Sequence, residues 1–254
     1  MKTTTCLLLT CLFQVNSKIS NHLVDLTWPF NNVTISWGDG QKYEVTKETF
    51  IDKPDGNWYG AKEFALAEHC GTHLDAPYHF AKDGWKVDEI PLSRLIVKCV
   101  KIDLSEKTEK LGYNSRLLPE DIIEWERRHG PIPLNSVILA YFNWGQFYED
   151  RIKYLGANNS ASYKFPALSP EAAQWIANTK KVVGVGLDTP GLDPGGSTTN
   201  MVHKILAENQ IYGLENVKIP KDYPEKGCQL YVMPMLLAGG TGAPVRIISY
   251  LNGN

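Results

Sequence analysis

The sequence predicts a single α/β domain built on a mixed β-sheet with flanking helices. Strand-like runs alternate with helical patterns along the middle of the chain, and further strand-like runs lie at both ends. This alternation is typical of α/β proteins. No repeat, low-complexity tract or shift in composition marks a linker. A chain of 254 residues with 43% hydrophobic content can bury one sizeable core.

The strand-like segments are short and are separated by turn residues. They lie at 22–30, 33–37, 41–50, 96–105, 136–144 and 182–188, with two more inside 227–251. Gly38-Asp-Gly40 marks a turn near the N-terminus. Asp188 ends a core strand, where it either supports a site or caps a loop. The run Gly239-Gly-Thr-Gly242 lacks the Lys-Ser/Thr of a phosphate-binding loop, so it is interpreted as a turn.

Three segments have helical patterns, at 118–130, 169–180 and 197–209. Pro119 suits the first turn of the first helix, and Gly130 suits its end. Ser169 is expected to cap the second helix. Asn209 is expected to end the third helix in the left-handed conformation.

The N-terminus has the pattern of a secretory signal peptide over residues 1–17. Lys2 precedes a short apolar run, and small or polar residues follow at plausible cleavage positions. The run is too short to span a bilayer. The alternative is a buried N-terminal strand, which would leave the protein cytoplasmic. We expect a secreted protein whose mature domain covers residues 18–254.

The cysteines and glycosylation sequons are compatible with secretion but do not establish it. Cys70, Cys99 and Cys228 remain after cleavage, and an odd number argues against a full disulfide framework. One disulfide with one free thiol, or three reduced thiols, are both open. Asn32 and Asn158 begin glycosylation sequons, which also arise by chance.

The charge of the chain argues against two classes of partner. The formal net charge is −2, and no cluster of Lys and Arg occurs. We therefore expect neither nucleic acid nor an anionic membrane as a partner.

The stretch from 68 to 80 is the most informative part of the sequence. It contains four candidate metal-binding or catalytic residues, which are His69, His73, Asp75 and His79. A helix would place the first two histidines on one face, but Gly71 and Pro77 disfavour a helix. In an extended segment all four side chains share one face. The first two histidines would then lie about 13 Å apart, so the chain must bend, most easily at Gly71.

These residues resemble the H-x-G-T-H-x-D-x-P-x-H motif of the metal-dependent cyclase family, which includes bacterial-type kynurenine formamidase and isatin hydrolase. The similarity extends over most of the chain. The segments that carry it are HLVDLT (22–27), FPALSPEAAQWI (165–176), VVGVGLDTPGLD (182–193), HKILAENQIYGLENV (203–217) and GGTGAPVRII (239–248). The resemblance implies a barrel-like core of the swivelling β/α type.

The resemblance also implies roles for individual residues. Its metal ligands correspond to His69, His73, Asp75, His203 and Glu215. These would hold one or two Zn²⁺ or Mn²⁺ ions, with His203 serving a second ion. His79 corresponds to the catalytic histidine, and Trp37 to the aromatic residue that packs against the substrate ring. From the residues alone, His203 and Glu215 are better explained as solvated polar side chains.

The expected activity is metal-dependent hydrolysis of a C–N amide bond in a small aromatic substrate. The family implies N-formylkynurenine first, giving kynurenine and formate, and opening of a cyclic amide such as isatin second. It also implies a homodimer or higher homo-oligomer. Two alternatives are a non-catalytic secreted metal-binding protein and a thiol-dependent enzyme that uses Cys70. Strand parity points Cys70 away from the histidines, which argues against the second.

Overall fold

The computed structural model describes residues 22–251, so the expected signal peptide lies outside the described residues. The strands are β1 (Leu23–Asp25), β2 (Glu44–Asp52), β3 (Trp58–Ala65), β4 (His73–Asp75), β5 (Ile96–Asp103), β6 (Arg116–Leu117), β7 (Ser136–Tyr141), β8 (Ala167–Leu168), β9 (Val182–Leu187), β10 (Tyr212–Glu215), β11 (Cys228–Pro234) and β12 (Gly242–Leu251). The α-helices are α1 (Ser105–Leu111), α2 (Pro119–His129), α3 (Arg151–Leu155), α4 (Pro170–Thr179) and α5 (Met201–Glu208). No helix in this part of the chain is long and apolar enough to cross a membrane.

The main sheet closes into a barrel-like ring. Its strand order is β1-β12-β11-β5-β7-β9-β10-β4, and β4 also pairs with β12. The long strand β12 makes this closure possible, because its first residues pair with β4 and its last residues pair with β1. The central pairs β5–β7, β7–β9 and β9–β10 are parallel, and the remaining pairs are antiparallel. The predicted α/β fold with a mixed, barrel-like sheet is confirmed.

Both faces of the central strands are buried, which explains their continuous apolar sequences. In β7, Val137, Leu139 and Tyr141 belong to the core inside the ring. The intervening Ile138 and Ala140 belong to a second core, which packs against the helices. Alternate residues of a strand point to opposite faces, so a strand covered on both faces has no polar side.

The helix ends agree with the sequence in two cases and differ in one. Helix α2 runs from Pro119 to His129, and the Ser169 hydroxyl accepts the Ala172 N–H at the start of α4. Helix α5 is shorter than predicted, because Asn200 is left-handed with φ of 50°. At the other end, Gln210 and not Asn209 takes the left-handed conformation, since the Asn209 side chain donates to the carbonyl of Ile205 within the helix.

The N-terminal segment contains one incorrect strand prediction. Residues 33–37 form no strand, and only an isolated bridge joins Ser36 to Cys70. The physical reason is a local turn, in which Thr34 both donates to and accepts from the backbone of Asn31. The segment predicted at 41–50 forms β2, which pairs with β3 as a separate hairpin.

Of the two alternatives for the cysteines, the structure contains one disulfide and one free thiol. Cys99 on β5 and Cys228 on β11 are direct neighbours in the sheet and form a disulfide. Cys70 is free and buried.

Asp188 follows strand β9 and holds the chain that follows the neighbouring parallel strand β7. Its carboxylate accepts the N–H of Phe142 at 2.8 Å, of Trp144 at 2.7 Å and of Gly145 at 3.1 Å. Burial raises the pKa of Asp188 to about 6, and these three donors counteract part of that rise. Of the two roles open from the sequence, the structure therefore shows loop capping.

We expect Asp188→Asn to lower the free energy of unfolding by about 2–4 kcal/mol, because an amide offers one acceptor oxygen and leaves buried N–H groups unpaired. Urea unfolding measures the change. The matched control is Asp222→Asn at an exposed aspartate, where a change within about 0.5 kcal/mol is expected. Equal stability of the two variants would contradict the capping role.

Candidate metal centre

The motif stretch bends where the sequence predicted a bend. Gly71 has φ of +62°, and a Cβ there would come within 2.9 Å of the Phe30 ring, so glycine is required for both reasons. Strand β4 begins two residues later. His69 precedes the bend, and His79 lies on a 3₁₀ turn that follows Pro77. The chain therefore folds back on itself, and the four side chains converge.

Strand pairing supplies the ligand that is distant in sequence. In the antiparallel β4–β10 pair, Glu215 lies opposite His73. Helix α5 precedes β10 and carries His203 toward the same carboxylate, with His203 Nε2 at 3.2 Å from Glu215 Oε1. The two residues that the sequence alone left open thus lie at the site.

The five predicted ligands form one compact cluster around Asp75. His69 Nδ1 is 2.6 Å from Asp75 Oδ1, and His73 Nε2 is 3.2 Å from the same oxygen. His203 Nε2 lies 3.4 Å from Asp75 Oδ2, and His73 Nε2 lies 3.4 Å from Glu215 Oε2.

The donor set fits a divalent cation. Within the described residues, Asp75 Oδ2 is buried and has no hydrogen-bond partner. A buried carboxylate oxygen without a partner is costly, and a cation would satisfy it. Two groups have ligand atoms close enough to hold an ion, His73–Asp75–Glu215 and His69–Asp75–His79. Imidazole nitrogens with carboxylate oxygens suit Zn²⁺, Mn²⁺ or Fe²⁺.

The protonation pattern shows how strongly the cluster attracts positive charge. Burial alone would lower the pKa of His73, but Asp75 and Glu215 raise it to about 9. Burial likewise opposes the charged form of His203, yet Asp193, Asp75 and Glu215 hold its pKa well above the usual range. Protons therefore occupy the place that a cation would take, and metal binding should release them.

His79 differs from the other histidines. Its ring stacks on His69 with centroids 4.0 Å apart, and none of its ring nitrogens is hydrogen-bonded within the described part of the chain. Although part of the His79 side chain is exposed, desolvation by the groups packed around its ring and the charges of His69 and His203 lower its pKa to about 4. One ring nitrogen of His79 also lies close enough to ligand atoms of His69 and Asp75 for the three residues to hold one ion. The position therefore suits either proton transfer or coordination.

A cavity of about 510 Å³ opens directly above the cluster. Trp37 lies at its wall, with 46% of its surface exposed, and makes edge contacts with Tyr163 and Phe165. The Arg151 guanidinium donates to the carbonyls on either side of Trp37, those of Ser36 and Gly38. The predicted aromatic residue thus faces the open space beside the candidate ligands.

Cys70 does not line the cavity. It is fully buried, and burial raises the pKa of its thiol. The structure therefore agrees with the parity argument and leaves the thiol-dependent alternative without a site.

Three residues at the site were missed from the sequence. Asp193 Oδ2 lies 2.5 Å from His203 Nδ1, and Thr241 Oγ1 lies 2.9 Å from His69 Nε2. Glu68 accepts the Thr241 hydroxyl at 2.6 Å. No local spacing signals these contacts, and the turn at 239–242 was interpreted only as a turn.

Several proteins with related sequences or structures are named as hydrolases or formamidases. An isatin hydrolase from Roseibium aggregatum is 29% identical over 218 residues, which cover 82% of this chain and 81% of that protein. A kynurenine formamidase from Bacillus anthracis is 25% identical, with 89% of this chain and 95% of that protein covered. A crystal structure of an isatin hydrolase bound to the product analogue thioisatinate matches with a TM-score of 0.83 and 25% identity, covering 92% of this chain and 95% of that one.

The Cyclase family model matches residues 24–194, which is more than half of the chain and includes the motif stretch. The resemblance inferred from the sequence is thereby confirmed: the chain belongs to the cyclase family.

Proposed function

We propose that the protein hydrolyses the C–N bond of a small aromatic amide, with N-formylkynurenine as the first candidate substrate. The similarity to these relatives identifies the chain as a metal-dependent amidohydrolase. The observation that carries the substrate class is the juxtaposition of the His/Asp/Glu cluster with the cavity that Trp37 borders. The alternative of a non-catalytic metal site explains neither this open cavity nor the placement of His79.

His69, His73, Asp75 and Glu215 would hold a divalent cation, with His203 available for a second ion. When bound, such a cation supplies a Lewis acid that lowers the pKa of water and stabilises negative charge on an oxygen. Trp37 offers a flat apolar surface for an aryl ring. His79, at the cavity and free of hydrogen bonds to described residues, can accept a proton from water and return it to the leaving nitrogen. Water adds across the C–N bond, giving a carboxylate and an amine.

Opening of a cyclic amide such as isatin is the second candidate, and one observation favours it. Among the described residues that line the cavity, none is Lys or Arg. The α-carboxylate of N-formylkynurenine would find no cationic side chain there, whereas isatin carries no charge to satisfy.

The test is turnover by metal-loaded protein of N-formylkynurenine, formanilide and isatin. Formanilide is the matched control, because it has the aryl formamide without the amino-acid group. Hydrolysis of at least one substrate, abolished by a chelator and restored by Zn²⁺ or Mn²⁺, is expected. No turnover of any of the three at full metal occupancy would contradict the proposal.

We expect His73→Ala to lose most of its bound metal, because His73 is buried and its Nε2 faces both Asp75 and Glu215. Elemental analysis of the purified variant measures this. The control is His129→Ala, whose ring pairs with Glu225 at a helix end. Metal content equal to that of the parent in the first variant would exclude His73 as a ligand.

We expect His79→Ala to keep its metal while kcat falls by about 10²–10⁴-fold, the usual contribution of a positioned proton-transfer group. His79→Gln, which keeps a polar side chain but cannot transfer the proton, should lose as much. Steady-state kinetics and elemental analysis on the same samples separate the roles. Release of the metal would make His79 a ligand, and an unchanged rate would make it a bystander.

We also propose that the protein is secreted, as the N-terminal pattern predicts. The Cys99–Cys228 disulfide supports this, because disulfides persist in oxidising compartments. Mass spectrometry of protein from a eukaryotic host would reveal cleavage near Lys18, and an intact Met1 would contradict it.

A homodimer or higher homo-oligomer remains our proposal for the assembly. The β2–β3 hairpin forms a sheet of its own and exposes Phe50, Trp58 and Phe64. Isolated hairpins are marginally stable in water, and such apolar patches commonly mark interfaces. The hairpin charges pair internally, as in Lys47–Glu63, so two copies need not repel. Light scattering measures the mass; a monomer at all accessible concentrations would refute the assembly.

A further inference from the structure

His69 is held by hydrogen bonds on both ring nitrogens. Nδ1 faces Asp75 Oδ1, and Nε2 lies 2.9 Å from Thr241 Oγ1. The Thr241 hydroxyl in turn lies 2.6 Å from Glu68 Oε2. The three side chains therefore form a hydrogen-bonded row that ends on a carboxylate.

The direction of each bond in this row follows from counting protons. Glu68 Oε2 also receives the backbone N–H of Thr241 at 3.0 Å and of Gly242 at 3.3 Å. An oxygen that already accepts two N–H groups acts as an acceptor, so the Thr241 hydroxyl donates its only proton to Glu68. Thr241 Oγ1 can then only accept from the ring, and His69 Nε2 must carry a proton.

In His73 and His203 the other ring nitrogen, Nδ1, carries the proton. His73 Nδ1 donates to the carbonyl of Gly71 at 2.9 Å, and His203 Nδ1 donates to Asp193. In both rings Nε2 is the nitrogen left to face the carboxylates.

We propose that Glu68 and Thr241 are positioning residues that keep the proton of His69 on Nε2, so that this histidine offers Nδ1 to the metal while His73 and His203 offer Nε2. The inference rests on the proposed metal site. Metal-bound histidines commonly need such a partner on the second nitrogen to fix the tautomer and the ring orientation.

The glycine-rich turn explains how Thr241 reaches this position. A Cβ on Gly242 would lie 2.4 Å from His69 Cε1 and 2.7 Å from the carbonyl oxygen of Leu74. Only glycine lets the turn approach the ring so closely. The Ala76 N–H donates to the Thr241 carbonyl at 2.9 Å, which anchors the turn to the end of β4. The conformation of the turn therefore places the Thr241 hydroxyl against Nε2 of His69.

The functional test compares Thr241→Val, which keeps the side-chain shape but removes the hydroxyl, with Thr241→Ser, which keeps the hydroxyl. Zn²⁺ affinity of the metal-depleted full-length protein is measured by competition with a chromophoric chelator. Thr241→Val should bind Zn²⁺ about 10–100-fold more weakly, the usual effect of losing such a partner. Thr241→Ser should stay close to the parent. Equal affinity of the Val variant and the parent would overturn the proposal.

The tautomers themselves are visible by ¹⁵N NMR of histidine-labelled, Zn²⁺-loaded parent protein. We expect His69 as the Nε2–H form, with His73 and His203 as Nδ1–H forms; comparison with His69→Gln assigns the His69 signals. An Nδ1–H signal for His69 would overturn the positioning role of Thr241 and Glu68 while leaving the metal site intact. Failure of the parent to bind either Zn²⁺ or Mn²⁺ would overturn both the positioning role of Thr241 and Glu68 and the proposed function.

Discussion

The structure depends on one short strand that both closes the barrel and carries the site. β4 contains only His73, Leu74 and Asp75, yet it pairs with β10 on one edge and β12 on the other. Leu74 is fully buried in the core, while the flanking histidine and aspartate point to the opposite face. Ring closure and ligand placement are therefore the same set of contacts, and a change in register at β4 would lose both.

This arrangement explains why charged groups are tolerated in a nearly dry setting. Asp75, Glu215 and His73 are all buried. Burial would raise the pKa of Asp75, but the charges of His69 and the hydrogen bonds from the surrounding histidines hold it well below its usual range. Asp75 is thus stabilised by the positive charge and hydrogen bonds of the nearby histidines, and Glu215 Oε1 accepts the N–H of Leu192 at 2.9 Å as well. A metal ion supplies the same compensation with two charges at one point, which is why a donor set of this kind fits a divalent cation.

Much of the fold could be predicted from the sequence, because its signals are local. The apolar strands, the start of α2 and the Ser169 cap depend on neighbours within a few residues. The wrong assignments, a strand at 33–37 and a left-handed Asn209, arose where a side chain instead bonded to the local backbone. Propensity ranks the conformations of a segment, but a single side-chain hydrogen bond of this kind is enough to change the outcome.

The candidate site shows the same contrast between local and long-range signals. His69, His73, Asp75 and His79 could be found because they lie within one stretch of thirteen residues and share one strand parity, whereas His203 and Glu215 became candidates only through the family. Asp193, Thr241 and Glu68 carry no such pattern, since the Glu68–Thr241 contact joins residues 173 positions apart. Thr241 is brought to Glu68 where β12 begins to pair with β4, and Asp193 is brought to His203 where helix α5 packs beside the loop that follows β9. The residues that bind a metal can thus be compact in sequence, whereas those that fix their tautomers are determined by the closed fold.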